Sequence, residues 1–445
     1  MEWEKIISGK RLGMETMYQE NDEDRSTFQR DYDRLIFSAP FRRLQNKTQV
    51  FPLPGSIFVH NRLTHSLEVA CVGRSLGNAI SRKLTQLYPQ LSRTSISETG
   101  NIVSAACLAH DMGNPPFGHS GEKAISAYFT EGKGLVLKEQ LQQTPAQWTD
   151  IINFEGNANA FRLLTHQFLG RRNGGFAMTY STLAAIAKYP YSSVYAEGKH
   201  KFGFFNSEAE LFERIAKELG MIRLSAPGQP LRYARYPFVW LVEAADDICY
   251  LLMDLEDAHK LKLMSTAETK EFMMDFLRPE ERSHAESICH MVTDANEQIS
   301  YLRSKLIGIL VSECTDVFIE NEKSILDGTF SGSLIKHISH IPREAYRNLS
   351  NASVERIYRS KEVLDVELAG FQIISTLLEL MTDAVLHPDK EYSRLLIGRV
   401  SSQYEINGKD LYTKILAVLD YISGMTDVYA LDVYRKINGN SLPAV

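Results

Sequence analysis

Four side chains able to bind a metal or move a proton fall within thirteen positions of this sequence: His110, Asp111, His119 and Glu122. They stand in the run AACLAHDMGNPPFGHSGEKA from Ala105 to Ala124, where an apolar helical pattern ends on His110-Asp111 and Gly113, Asn114, Pro115 and Pro116 stop it. Alone, the pair also fits a plain helix C-terminus, where the helix dipole favours a cation and the following turn takes an acid. Two other stretches add candidates. His65 stands three residues after Arg62, so the two can share a helical face. Asp246, Tyr250 and Asp254 recur at i, i+4, i+8 among Ala244, Ala245, Ile248, Leu251 and Leu252, a stripe whose carboxylates need compensation if it faces the interior. A solvated face with Glu243, Asp247 and Asp257 is the other reading of that stripe.

Two imidazoles and two carboxylates, His65, His110, Asp111 and Asp246, make a mixed N/O set. It suits a divalent metal ion, Mg or Mn, and also Ni, Co, Fe or Zn, with positions open for water and substrate. Such an ion lowers the pKa of water and polarises a phosphoryl oxygen. Proton transfer then needs a group close by, and His119 with Glu122, three apart at the start of a helix, fits a general acid or base and the carboxylate that orients it.

The elements that must hold these residues read as helices. One pattern starts at Asp31 and continues through Leu35, Ile36, Ala39 and Phe41 to Gln45, until Phe51-Pro52-Leu53-Pro54-Gly55 forces a loop. A second helix starts near Asn61, a third runs from Glu98 to Asp111, and residues 120–170 are helical with an interruption at Gly156. The stretch 170–203 is rich in Gly, Tyr, Ser and Pro and reads as loops framing a site. A long helix spans Val239 to Leu263, and the remaining third is helical with breaks at Pro279, Pro342 and Pro388. The β-prone pieces Val354–Tyr358 and Leu395–Tyr404 leave room for a small hairpin. The expected fold class is therefore mainly α.

Composition limits what else the chain can be. A net charge of -6 argues against a wholesale nucleic-acid coat, so polyanion binding would be a property of a pocket. Five scattered cysteines, an odd number inside apolar patterns, suggest free thiols in a reducing compartment. The opening MEWEKIISGKRLG has no apolar core of signal-peptide length, and no apolar run is long enough to span a membrane. A cytoplasmic protein is expected.

The order His65, His110-Asp111, Asp246 resembles the H…HD…D signature of the HD superfamily of metal-dependent phosphohydrolases. Larger blocks, FRRLQNKTQVFPL from Phe41, NRLTHSLEVA from Asn61, HDMGNPPFGHSGE from His110 and EAADDICYLLMDLEDA from Glu243, are similar to bacterial deoxyguanosine triphosphate triphosphohydrolases. FEGNANAFRLL from Phe154, LAAIAKYP from Leu183, KFGFF from Lys201 and RSKEVLDVELAGF from Arg359 extend the likeness over about residues 25–375.

The resemblance implies an HD-domain helical core, residues 1–265, with a helical C-terminal region, 266–445, packed on it and contributing to oligomer contacts. It implies His65, His110, Asp111 and Asp246 as metal ligands and His119 and Glu122 as the catalytic pair. Gln49, Tyr250 and Asp254 would contact the deoxyribose, with Tyr250 excluding a 2′-hydroxyl. Arg62, Lys188 and Lys201 would bind the triphosphate, a task suited to charge-assisted contacts. Glu155-Gly156-Asn157 would line the same pocket, and Arg359 and Lys361 would reach the substrate or an effector. The implied reaction hydrolyses a dNTP, dGTP foremost, to the deoxynucleoside and inorganic tripolyphosphate. Hexamers or tetramers, and a nucleotide or single-stranded DNA effector, come with the likeness. The rivals are another HD phosphohydrolase, a phosphodiesterase or 5′-nucleotidase, and a nucleotide- or single-stranded-DNA-sensing protein.

Overall fold

Asn61 opens the helix on which the rest is stacked. Its side chain accepts from Thr64 N at 3.0 Å while Thr64 Oγ1 accepts from Asn61 N at 3.1 Å, a reciprocal cap that fixes the first turn. The computed structural model describes residues 1–16, 25–51, 59–196 and 198–441. Helix α1 is Thr27–Ile36, α2 Arg62–Leu87, α3 Thr99–Ala109, α4 His119–Thr130, α5 Gly156–Thr165 and α6 Val239–Lys260. Farther on, α7 is Ala295–Glu320, α8 His340–Arg356, α9 Lys361–Leu386, α10 Leu411–Ser423 and α11 Asp427–Ile437. Among the described residues β-pairing is confined to isolated bridges such as Thr48–Asn61, and no helix is long and apolar enough to cross a membrane.

Helix α3 is wholly enclosed from Ile102 to Ala109, the small Ser104 being the one polar side chain in that run. A helix of that kind must be wrapped by others, and α2, α1 and α6 do this. Small residues allow the close approach. A Cβ built on Gly73 would stand 2.5 Å from Cys107 Sγ and 3.6 Å from Ala245 Cβ, where α2, α3 and α6 meet. One turn on, a Cβ on Gly77 would come within 2.7 Å of Gly100 Cα.

The apolar core forms two clusters. One gathers the residues around α2, α3 and α6, together with α7 and the buried face of α8. The other joins the inner face of α4, through Ala124, Ile125 and Phe129, to α9, α10 and α11. All five cysteines are free, and four of them are buried.

Several sequence expectations need correction. Neither β-prone piece is a strand: Val354–Tyr358 closes α8 and its following turn, and the other begins inside the helix Glu391–Gly398. Leu349, Ser353 and Ile357 on one side, and Leu396 on the other, are buried at helical spacing, so packing overrides β-propensity. The first helix breaks at Phe37, because the Ser38 hydroxyl accepts from Phe41 N at 3.2 Å and Pro40 sits where a new first turn needs no N–H. The breaks expected at Pro342 and Gly156 fall just before them, Pro342 lying within the first turn of α8 and Gly156 beginning α5. Residues 52–55 of the expected loop lie outside the described residues.

The substitution Gly77→Ala places a methyl group against backbone atoms of α3 that cannot move aside. It should cost about 1–3 kcal/mol by overpacking, read as a fall in the denaturation midpoint without a change in denaturant slope.

Candidate active site

Three helix termini or faces converge on one cavity of about 220 Å³. The first turn of α2 supplies Arg62 and His65, the end of α3 supplies His110 and Asp111, and the middle of α6 supplies Asp246 and Tyr250. The start of α4 adds His119 and Glu122 from the opposite wall. The loops expected to frame a site contribute Lys188 and Lys201, and Gln49 also lines the cavity.

Nitrogen and oxygen donors of His65, His110 and Asp246 lie within 4.8 Å of one another. His65 Nε2 is 3.1 Å and His110 Nε2 3.6 Å from Asp246 Oδ1. The Nδ1–H of His110 donates to the Cys107 carbonyl at 2.6 Å, which turns Nε2 toward the cluster. That Nε2 is buried without a hydrogen-bond partner among the described residues. A buried ring nitrogen pointed at a second imidazole and a carboxylate is a fitting donor set for a divalent ion.

Asp111 borders this set. Its Oδ1 stands 3.7 Å from His110 Nε2, while Oδ2 accepts from Arg62 Nη1 at 2.7 Å and Asn114 Nδ2 donates to Oδ1. Burial works against its charge, but the Arg62 guanidinium and the two imidazoles hold its pKa at about 2. Burial likewise opposes the charge on Asp246, and His110 and His65 hold it well below the usual carboxylate range.

The opposite wall is a chain of charged partners. Glu122 Oε1 accepts from Gly156 N at 2.8 Å, Lys201 Nζ donates to Glu155 Oε1 at 2.9 Å, and Glu155 Oε2 caps α5 through Asn157 N at 2.7 Å. Lys188 lies 3.3 Å from Glu243, which also binds Arg235 at 2.9 Å. His119 is exposed and lines the cavity, with neighbouring groups that partly desolvate it. That desolvation, and then the charges of Arg62 and Lys201, hold its pKa below the ordinary imidazole value.

The HD domain family matches residues 62–148, and the phosphohydrolase-associated domain matches 337–436. A deoxyguanosinetriphosphate triphosphohydrolase-like protein of Synechocystis sp. is 37% identical over 99% of this chain and 100% of its own. Its counterpart in Pseudomonas aeruginosa is 36% identical over the whole of both. The deoxyguanosinetriphosphate triphosphohydrolase of Yersinia enterocolitica is 29% identical over 98% of each chain. The chain belongs to the deoxyguanosinetriphosphate triphosphohydrolase-like family of HD phosphohydrolases.

Within this family member, the cavity gathers eleven of the twelve residues for which the likeness implied a metal, catalytic, sugar or triphosphate role: Gln49, Arg62, His65, His110, Asp111, His119, Glu122, Lys188, Lys201, Asp246 and Tyr250. Glu155 and Asn157 line it too, whereas Arg359 and Lys361 are exposed elsewhere. Asp254 does not line it. Two turns along α6, it accepts from the Tyr358 hydroxyl at 2.6 Å, and the rings of Tyr358 and Tyr250 stack with centroids 5.7 Å apart. Asn114, Tyr189 and Glu243 were missed as lining residues. Asn114 read as a helix stop and Glu243 as part of a solvated face; Lys188, in a stretch already marked, was the available signal for an acidic partner.

Burial, with Asp257 nearby, pushes the Asp254 carboxyl up to about 8, against the opposing hydrogen bond from Tyr358. Its ordinary value is about 3.9. Between these limits the folded chain therefore holds a proton that the unfolded chain has lost, and this site's contribution to stability falls as pH rises through the window. Asp254→Asn removes the effect: relative to the unsubstituted chain, its melting temperature should climb between pH 5 and pH 8. A difference that stays constant with pH would contradict the assignment.

Proposed function

We propose that the chain hydrolyses deoxynucleoside triphosphates, dGTP foremost, to the deoxynucleoside and inorganic tripolyphosphate. One observation carries the reading: the buried, partnerless His110 Nε2 faces His65 and Asp246 in a cavity that also holds Arg62, Lys188, Lys201 and His119. The activity named for the relatives supports the choice of substrate.

A divalent ion held by His65, His110 and Asp246, with Asp111 at its edge, supplies Lewis acidity to water and to a phosphoryl oxygen; Mg and Mn suit this donor set. Arg62, Lys188 and Lys201 bind the triphosphate, whose oxygens take over from Asp111, Glu243 and Glu155 as their acceptors. Water adds to the α-phosphorus, the bond to O5′ breaks, and all three phosphorus atoms leave together. His119 delivers a proton to O5′, and Glu122 orients His119. Desolvation, then the charges of Arg62 and Lys201, hold the pKa of free His119 down, and a bound polyanion that offsets those charges favours the protonated imidazole that O5′ needs. Gln49 Oε1, buried without a partner among the described residues, accepts from the 3′-hydroxyl. Tyr250 and Asp254 complete the sugar site, Tyr250 from the cavity wall and Asp254 through Tyr358.

With dGTP and Mn²⁺ or Mg²⁺ the purified chain should release tripolyphosphate and deoxyguanosine, resolved by ³¹P NMR and chromatography. Pyrophosphate with dGMP would overturn the reaction and favour another HD chemistry. His110→Ala should abolish Mn²⁺ binding in calorimetry. His119→Ala should keep the metal and lose roughly 10²–10⁴-fold in kcat; turnover at the original rate would remove its role.

A further inference from the structure

The eight residues between the metal-type cluster and His119 form a turn that is costly to hold. Phe117 has φ +62°, in the left-handed region where a side chain is strained, and Gly118 follows at φ +56°. Such a turn persists only if its surroundings over-determine it, and its polar ties come largely from the far end of the chain.

Asp427, in the first turn of α11 and buried, spends both carboxylate oxygens on backbone donors. Oδ1 accepts from Phe117 N at 2.9 Å and Oδ2 from Thr48 N at 2.7 Å. The first bond holds the turn two residues before His119, and the second holds the residue before Gln49. Lys47, also buried, doubles the tie by donating to the carbonyls of Asn114 at 2.5 Å and Ser423 at 2.8 Å. Asn159 of α5 reaches the same place, from Gly113 O at 2.6 Å to Ser423 Oγ at 3.1 Å. Behind them α9 backs directly onto the Phe117 ring at Gly370, and Ser120 donates to Glu367 O at 3.0 Å.

We infer that Asp427 is a positioning residue for hydrolysis: a two-pronged acceptor in the phosphohydrolase-associated segment that sets His119 and Gln49 against each other across the cavity. The inference rests on the reading of His119 and Gln49 as substrate-site residues. None of the ligand-type residues hangs on Asp427, since His65, His110 and Asp246 are fixed by α2, α3 and α6. Its loss therefore separates turnover from metal binding. An asparagine keeps the shape but presents an NH₂ group to one of two N–H donors, and a glutamate keeps the charge but displaces both oxygens by a methylene.

The test compares full-length Asp427→Asn and Asp427→Glu with the unsubstituted chain. It measures kcat and KM for dGTP, Mn²⁺ affinity by calorimetry, and folded fraction by circular dichroism. Both variants should stay folded and bind Mn²⁺ within threefold of the original, while kcat per Mn²⁺ site falls roughly 100-fold, the scale of a displacement near 1 Å. Rescue by glutamate, or unchanged kcat and KM in the asparagine variant, would overturn the inference. If His119→Ala is inactive in the same assay, that failure leaves the proposed reaction standing; if His119→Ala is fully active, both fall. Should Asp427→Asn not fold, Lys47→Met takes its place with the same expected loss of kcat, and full turnover there overturns the inference.

Discussion

The bond from His110 Nδ1 to the Cys107 carbonyl is the constraint on which the cavity depends. In the last turn of a helix the carbonyls lose their partners, and Cys107 would be orphaned where the chain turns at Asp111. The imidazole one turn on fills that vacancy with its own N–H, and in doing so its tautomer and ring plane are set. Nε2 is left aimed between His65 and Asp246. Because α3 is buried along its whole length, the ring cannot be repositioned without disturbing the packing of α2 and α6. The close approach at Gly73 lets those helices bring His65 and Asp246 within reach.

Charge then dictates what the cavity can hold. Its cations each rest on a carboxylate of the protein: Arg62 on Asp111, Lys188 on Glu243, Lys201 on Glu155. Burying either sign alone is costly, and pairing reduces that cost. The pairing also leaves carboxylates close to the binding space, so a monoanion has little to gain by entering. On the proposed reading, a tripolyphosphate chain would take all three cations as its partners. The same acids provide the field into which a divalent ion fits.

Much of this was legible because the site is built at helix ends. Pro115 and Pro116 mark the stop after His110-Asp111, and Asn61 with Thr64 marks the start before His65, so residue type and boundary agree. Asp254 escaped for a geometric reason. Eight residues along a helix bring a rotation of roughly 80° and a rise of about 12 Å, so the polar stripe from Asp246 leaves the cavity at Tyr250 and continues under Tyr358. The tilt of Asp111 toward Arg62 was equally illegible, since both belong to motifs that read as facing an ion. The hairpin expectation failed where β-branched residues happened to fall on the buried side of a helix, a fact that only tertiary packing reveals.

The two apolar clusters give the chain's length a mechanical meaning. The donor set lies on helices of the first cluster, whereas His119 and Glu122 begin α4, whose Ile125 and Phe129 are buried in the second against α9. The distance between the proposed ion ligands and His119, the proposed proton donor, therefore follows how the clusters meet, along the turn from Gly113 to Gly118. An HD core alone would tie that turn only through Lys47 and Asn159, leaving the N–H of the left-handed Phe117 without its acceptor. The helices of the phosphohydrolase-associated segment supply the missing acceptors and the apolar backing. On the proposed reading, the position of His119 depends on packing that the phosphohydrolase-associated segment provides, and the cost of the strained turn at Phe117 is spread over a core large enough to sustain it.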